Sequence, residues 1–207
     1  MPNKAFFSFI AVLQETLLAL GIGILLVLPI ALAYFSAYIP EWSYTILFGV
    51  SLFTVSLVMA IRPLADLFPN VPQVRSLVIL RKGFGVLSAS IIVAIMLSKF
   101  MIGGFSYAID FFRLEHWSIG DGAILAPAGD LSALVLLITS NKFSKRILGR
   151  NWKRIQKLAY VYFYAGALYE YLFLGQTLAL AALIIVTILV VAAYLKNHCK
   201  RTASVAI

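Results

Sequence analysis

Cysteine is nearly absent from this chain, and histidine and acidic residues are scarce. Cys199 is the only thiol, which excludes an internal disulfide and any CxxC metal or redox pair. The two histidines, His116 and His198, come with no zinc spacing and no Ser/His/Asp set. Walker and glycine-rich phosphate motifs are also lacking, so soluble-type catalysis has no support. Charge itself is thin. Of 207 residues, 12% are charged and 62% hydrophobic, against about 25% charged and 45–50% apolar in an ordinary globular domain. With a mean hydropathy of +0.98, the composition points to an integral membrane protein.

The formal net charge of +9 does not indicate nucleic acid in so apolar a chain, because membrane orientation accounts for it. Six apolar stretches approach the ~20 residues that a helix needs to cross a bilayer: 14–37, 44–61, 83–103, 122–140, 157–174 and 176–195. They are continuously apolar rather than alternating, and an open sheet cannot satisfy its backbone in lipid. The expected fold is therefore all-α, a single transmembrane domain over 1–207 with six helices. The uncharged run from Thr16 to Pro40 exceeds the roughly 7–15 residues of a signal-peptide core, so the first helix is expected to be retained.

With both termini in the cytosol, the basic residues fall into a pattern. Lys4 heads the chain, and Arg62, Arg75, Arg81 and Lys82 lie in the second loop. Lys142, Lys145, Arg146, Arg150, Lys153, Arg154 and Lys157 lie in the fourth, and Lys196, Lys200 and Arg201 in the tail. Only Lys99 and Arg113 remain for the other side. This asymmetry predicts cytosolic termini and a multi-pass protein of the inner or plasma membrane. The three prolines of 62–73 predict a stiff loop with no regular helix. The aromatic and charged mixture of 104–121 predicts a helix lying in the outer interface.

Thr139-Ser140-Asn141, Leu148-Gly149 and Trp152-Lys153-Arg154, with Arg81-Lys82 and Gly85 opening the third helix, resemble the ferric reductase-like transmembrane domain family. Within it the chain resembles the haem-binding membrane subunits of the bacterial methionine-sulfoxide reductase system. The resemblance covers about residues 44–175. It implies a six-helix bundle that holds b-type haem through membrane histidines. Electrons would pass from a cytosolic flavoprotein to an outer acceptor, making the chain a transmembrane oxidoreductase component. The positions where the family places its histidines fall on Ile95, Gln156 and Tyr169. Iron in haem is held by His, Cys, Met or Tyr, so the resemblance comes with a degenerate site. No cofactor is expected from the residues, although haem b is what the resemblance implies. His116 and His198 fall in an outer loop and the inner tail.

Other residues carry alternative readings. Asp130, near the middle of "AILAPAGDLSALVLLIT", is costly in lipid when ionised, by at least ~2.5 kcal/mol, and with Glu170 forms a candidate intramembrane polar site. Asp130 is expected inside the bundle, with Ser88, Ser90 or Tyr164 as donors, where Pro127 and Gly129 weaken the helix. Glu15 and Glu170 fall near helix ends, where snorkelling is cheap. Tyr160, Tyr162, Tyr164, Tyr169 and Tyr171 read as anchors or packing groups, and Met59, Met96 and Met101 as packing. The seven basic residues of the fourth loop set topology or dock an acidic partner or anionic lipid. Three functions stay open: a haem-free subunit or scaffold with a membrane or cytosolic redox partner, a haem-b subunit with unusual ligation, and a small transporter built around Asp130.

Overall fold

The computed structural model describes the backbone of residues 4–205 and the side chains of 5–199. The sequence-predicted inner charges Lys4, Lys200 and Arg201 lie outside the described side chains. Every regular element among the described residues is helical. The α-helices are α1 (Lys4–Tyr34), α2 (Glu41–Leu67), α3 (Pro72–Ser76), α4 (Arg81–Phe111) and α5 (Leu125–Thr139). They continue with α6 (Lys142–Leu148), α7 (Trp152–Ile155), α8 (Leu158–Leu174) and α9 (Thr177–Val205).

Four of these are long and apolar enough to cross a membrane: α1, α2, α9, and α4 with the turns that lead into it. This is compatible with an integral membrane protein. The remaining two apolar helices are shorter, at 15 residues for α5 and 17 for α8, or about 22 and 26 Å of rise. Local chemistry sets those limits. Asn141 ends the first by capping α6, its Oδ1 accepting from the Ser144 N–H at 2.6 Å. Gly175, left-handed at φ 65°, ends the second, a conformation that glycine adopts without a Cβ penalty.

Helices α2, α4, α5 and α8 form the central bundle; α9 packs on α2 and α8, and α1 lies along α4. Lipid tails are as apolar as leucine, so association in a membrane relies on close approach and interhelical hydrogen bonds. Both are present. Ala89, Ala133, Ala167 and Ala179 sit in the main core around Phe163. Between α1 and α4, a Cβ on Gly83 would come within 2.9 Å of the Leu17 Cβ, and the Gly83 N–H donates to Gln14 Oε1 at 3.1 Å. The outward faces of α1 and α9 are rich in exposed Leu, Ile and Val, as a lipid-facing surface requires.

Two local expectations are corrected. Residues 62–73 are not a helix-free loop, because α2 continues through Pro63 to Leu67 and α3 begins at Pro72. A proline in the first turn removes only an N–H that has no helical partner, and Pro63 is absorbed inside α2. Nor is 104–121 one helix. Gly104 adopts φ 54°, ψ −137° and breaks α4, which resumes to Phe111 before a 3₁₀ turn at Leu114–Trp117. The Trp117 indole then folds back to donate to the Phe111 carbonyl at 3.1 Å.

Candidate functional site

A cavity of about 610 Å³, counting the space at its mouth, lies between α2, α4, α5 and α8. It is at the end of the bundle where α5 begins and α8 ends. Only about 60 Å³ of that space is wide enough to hold water-sized molecules, room for a few waters or a small ion rather than for a drug-sized ligand. Missing side-chain volume opens it: Gly129 and Gly166 both line it, and a Cβ added at either would meet nothing within 4 Å.

The lining combines aromatic, apolar and charged groups. Asp130 and Glu170, singled out separately in the sequence, face this one cavity together with Lys99. Lys99 is exposed and stands at the mouth, Asp130 is half-buried, and Glu170 is only 3% exposed. Glu170 Oε2 has no hydrogen-bond partner, and no ion pair engages either carboxylate among the described residues. A buried ionised carboxylate without a partner costs several kcal/mol, so the arrangement favours a compensating proton or cation.

None of the three expected donors bonds Asp130, and two of them are engaged elsewhere. Ser88 Oγ lies 2.7 Å from the Tyr162 hydroxyl and donates to the Ser51 carbonyl at 2.8 Å. Tyr162 also bonds Ser51 Oγ at 2.7 Å, so α2, α4 and α8 are joined by one buried triad, two members of which, Ser51 and Tyr162, line the cavity. Tyr164 bonds Thr187 of α9 at 3.0 Å, while Ser90 Oγ is buried without a partner. Two further expectations for Asp130 change. It lies in the second turn of α5, not mid-helix, because the helix starts only at Leu125. Pro127 occupies the first turn, where the absent N–H breaks no bond, so it does not weaken the helix.

Of the three positions where the resemblance would place histidine, Ile95 and Tyr169 lie on the wall of this cavity. The Tyr169 ring stacks on Phe173 with centroids 5.2 Å apart and lies 6.2 Å from Phe48. Gln156 is elsewhere, at the opposite end of α8, its amide donating to Thr139 Oγ1 at 3.4 Å. The lining contains no His, Cys or Met, and its two phenols are a buried hydrogen-bonded Tyr162 and a stacked Tyr169. This donor set does not fit a histidine-ligated haem. His116 belongs to the 3₁₀ turn after α4, and His198 packs near the Tyr194 ring at the far end of α9. Among the described residues no His, Cys, Asp and Glu group into a metal site. Glu15 is exposed on α1.

The Thr-Ser-Asn and Trp-Lys-Arg block has a mechanical role. The Trp152 indole donates to the Thr139 carbonyl at 3.0 Å, and Lys145 lies 5.3 Å over the Trp152 ring. With the Asn141 cap, these contacts clasp the end of α5 to the start of α8. Lys142, Lys145, Arg146, Arg150, Lys153, Arg154 and Lys157 all point outward and are exposed around the clasp.

No family model, curated protein or solved structure matches this chain.

Sequence reasoning missed Ser51, Lys99, Tyr162 and Gly166 as parts of one site. Their signals were present but weak: a serine in one apolar helix, a lysine towards the end of another, and a tyrosine and a glycine on a third.

Proposed function

We propose that this chain is a six-span protein of the inner or plasma membrane with both termini in the cytosol. In this reading it is built on the ferric reductase-like scaffold and serves as a haem-free subunit or scaffold beside a membrane or cytosolic redox partner. One observation carries the proposal. Ile95 and Tyr169, two positions where the family resemblance calls for histidine, face the same cavity, and the groups around them are carboxylates, a lysine and hydroxyls rather than an iron-binding pair. The shorter α5 and α8 complete the six spans, the clasp and its exposed basic residues marking the cytosolic side. The test is an absorption spectrum of the purified protein, which should lack a Soret band. One haem per chain with a reversible redox spectrum would overturn the proposal in favour of a haem-b subunit with Tyr169 as ligand.

A specific observation favours a second reading, transport of protons or small cations. Glu170 is buried with a free oxygen in the same cavity as Asp130 and Lys99, and intramembrane acids that face a cavity mark ion pathways. If this reading holds, Asp130→Asn abolishes flux into liposomes while changing thermal stability little. Unchanged flux in that variant would exclude it.

A further inference from the structure

A second pocket lies at the opposite end of the bundle from the carboxylate cavity, where α2 finishes and α4 begins. Arg62 of α2, Arg75 of α3 and Arg81 of α4 converge on it, about 840 Å³ including its open mouth. Asp66 is its one acidic side chain, and Asn197 of α9 closes the wall. No ion pair engages the three arginines among the described residues. The pocket therefore carries two uncompensated positive charges.

The seven basic residues of the clasp region spread outward into solvent, as charges that only set orientation are free to do. Arg62 and Arg75 are exposed as well, but with the half-buried Arg81 they line one concavity. Three separate elements bring like charges to one place, at a Coulombic cost that an anion removes. Arg81 is anchored by its Nε–H donating to the Val58 carbonyl at 3.1 Å, which leaves its terminal nitrogens for the pocket. Lys196, adjacent to Asn197, is already engaged with the Leu67 carbonyl at the end of α2, so it satisfies backbone rather than an incoming ligand. Planar guanidinium forks match the oxygens of a phosphate group in a way that ammonium groups do not. The ends of membrane-spanning helices also lie at headgroup level, where basic pockets between helices hold anionic headgroups.

We infer that this arginine pocket is a binding site for a phosphate group, presented by an anionic phospholipid headgroup or by free phosphate. The test uses the full-length protein in phosphatidylcholine nanodiscs with and without phosphatidic acid, and separately with inorganic phosphate. Lipid adducts are read by native mass spectrometry and thermal unfolding by scanning fluorimetry. Phosphatidic acid should be retained over phosphatidylcholine and raise the unfolding temperature. The exposed pair change Arg62→Gln/Arg75→Gln should weaken its binding about 30-fold, at one elementary-charge contribution per residue. Asp66→Asn should strengthen it about 5-fold, a gain that no folding defect can imitate. If inorganic phosphate alone produces the full shift and phosphatidic acid adds nothing, the site stands and its ligand is free phosphate. The inference is overturned if neither probe binds, if the paired arginine variant binds like wild type, or if Lys142→Gln/Lys145→Gln weakens binding equally, since a diffuse surface field would then suffice.

Discussion

The two ends of the α5–α8 pair differ in how completely their polar groups are satisfied. At the end holding Gln156, the amide bonds Thr139, the Trp152 indole bonds the Thr139 carbonyl, and Asn141 caps α6. At the end holding Tyr169, thirteen residues further along the chain, Glu170 keeps an oxygen without a partner and two glycines leave open space. Hydrogen bonds that are all made stabilise and fix a geometry, whereas a buried group left unmade costs about 1–3 kcal/mol. Such a group persists where function needs it. The contrast assigns stability to the clasp end and leaves the cavity end as the candidate site of the proposed function.

Breaking the clasp should have the largest effect. Trp152→Ala removes the indole donor, the ring under Lys145 and half-buried packing, and should cost about 2–3 kcal/mol in thermal unfolding of the detergent-purified protein. No loss of stability would show that the two ends do not differ in this way.

The opposite sign is expected at the cavity end. Glu170→Met replaces an unpartnered buried carboxylate by an apolar side chain of similar length, and should raise stability by about 1–2 kcal/mol while abolishing whatever the cavity does. Destabilisation instead would mean that Glu170 is paired through Lys99 or a bound cation, which the same melt repeated across salt species would reveal.

The smallest effect sharpens the comparison. Gly166→Ala adds a methyl group where nothing lies within 4 Å and improves helix propensity, so a gain of about 0.5–1 kcal/mol is expected. A loss would show that the space is filled in the working protein.

Much of the architecture was legible in advance because hydropathy is local. The apolar runs mark α1, α2, α4 and α9, and their neighbours α5 and α8 also lie where apolar stretches were read, although shorter than a full crossing. The misread places were those where a residue's usual preference met a permissive position. Pro63 sits inside a helix, and Pro127 falls in a first turn. Gly104 interrupts a helix that its neighbours would continue.

Sequence alone settled that the chain is apolar and helical, with its positive charge gathered in a few clusters, and that its single cysteine allows no internal disulfide or CxxC pair. These are sums or local patterns, readable one segment at a time. Tertiary structure decided that Asp130, Glu170, Lys99, Ile95 and Tyr169 share one cavity while Gln156 does not, and that Arg62, Arg75 and Arg81 meet in another pocket. Such meetings depend on the rotation and register of separate helices against one another. In a membrane, close fit at residues such as Gly83 and cross-helix bonds such as Tyr162 to Ser51 and Ser88 set that register, because hydrophobicity cannot distinguish one apolar face from the next.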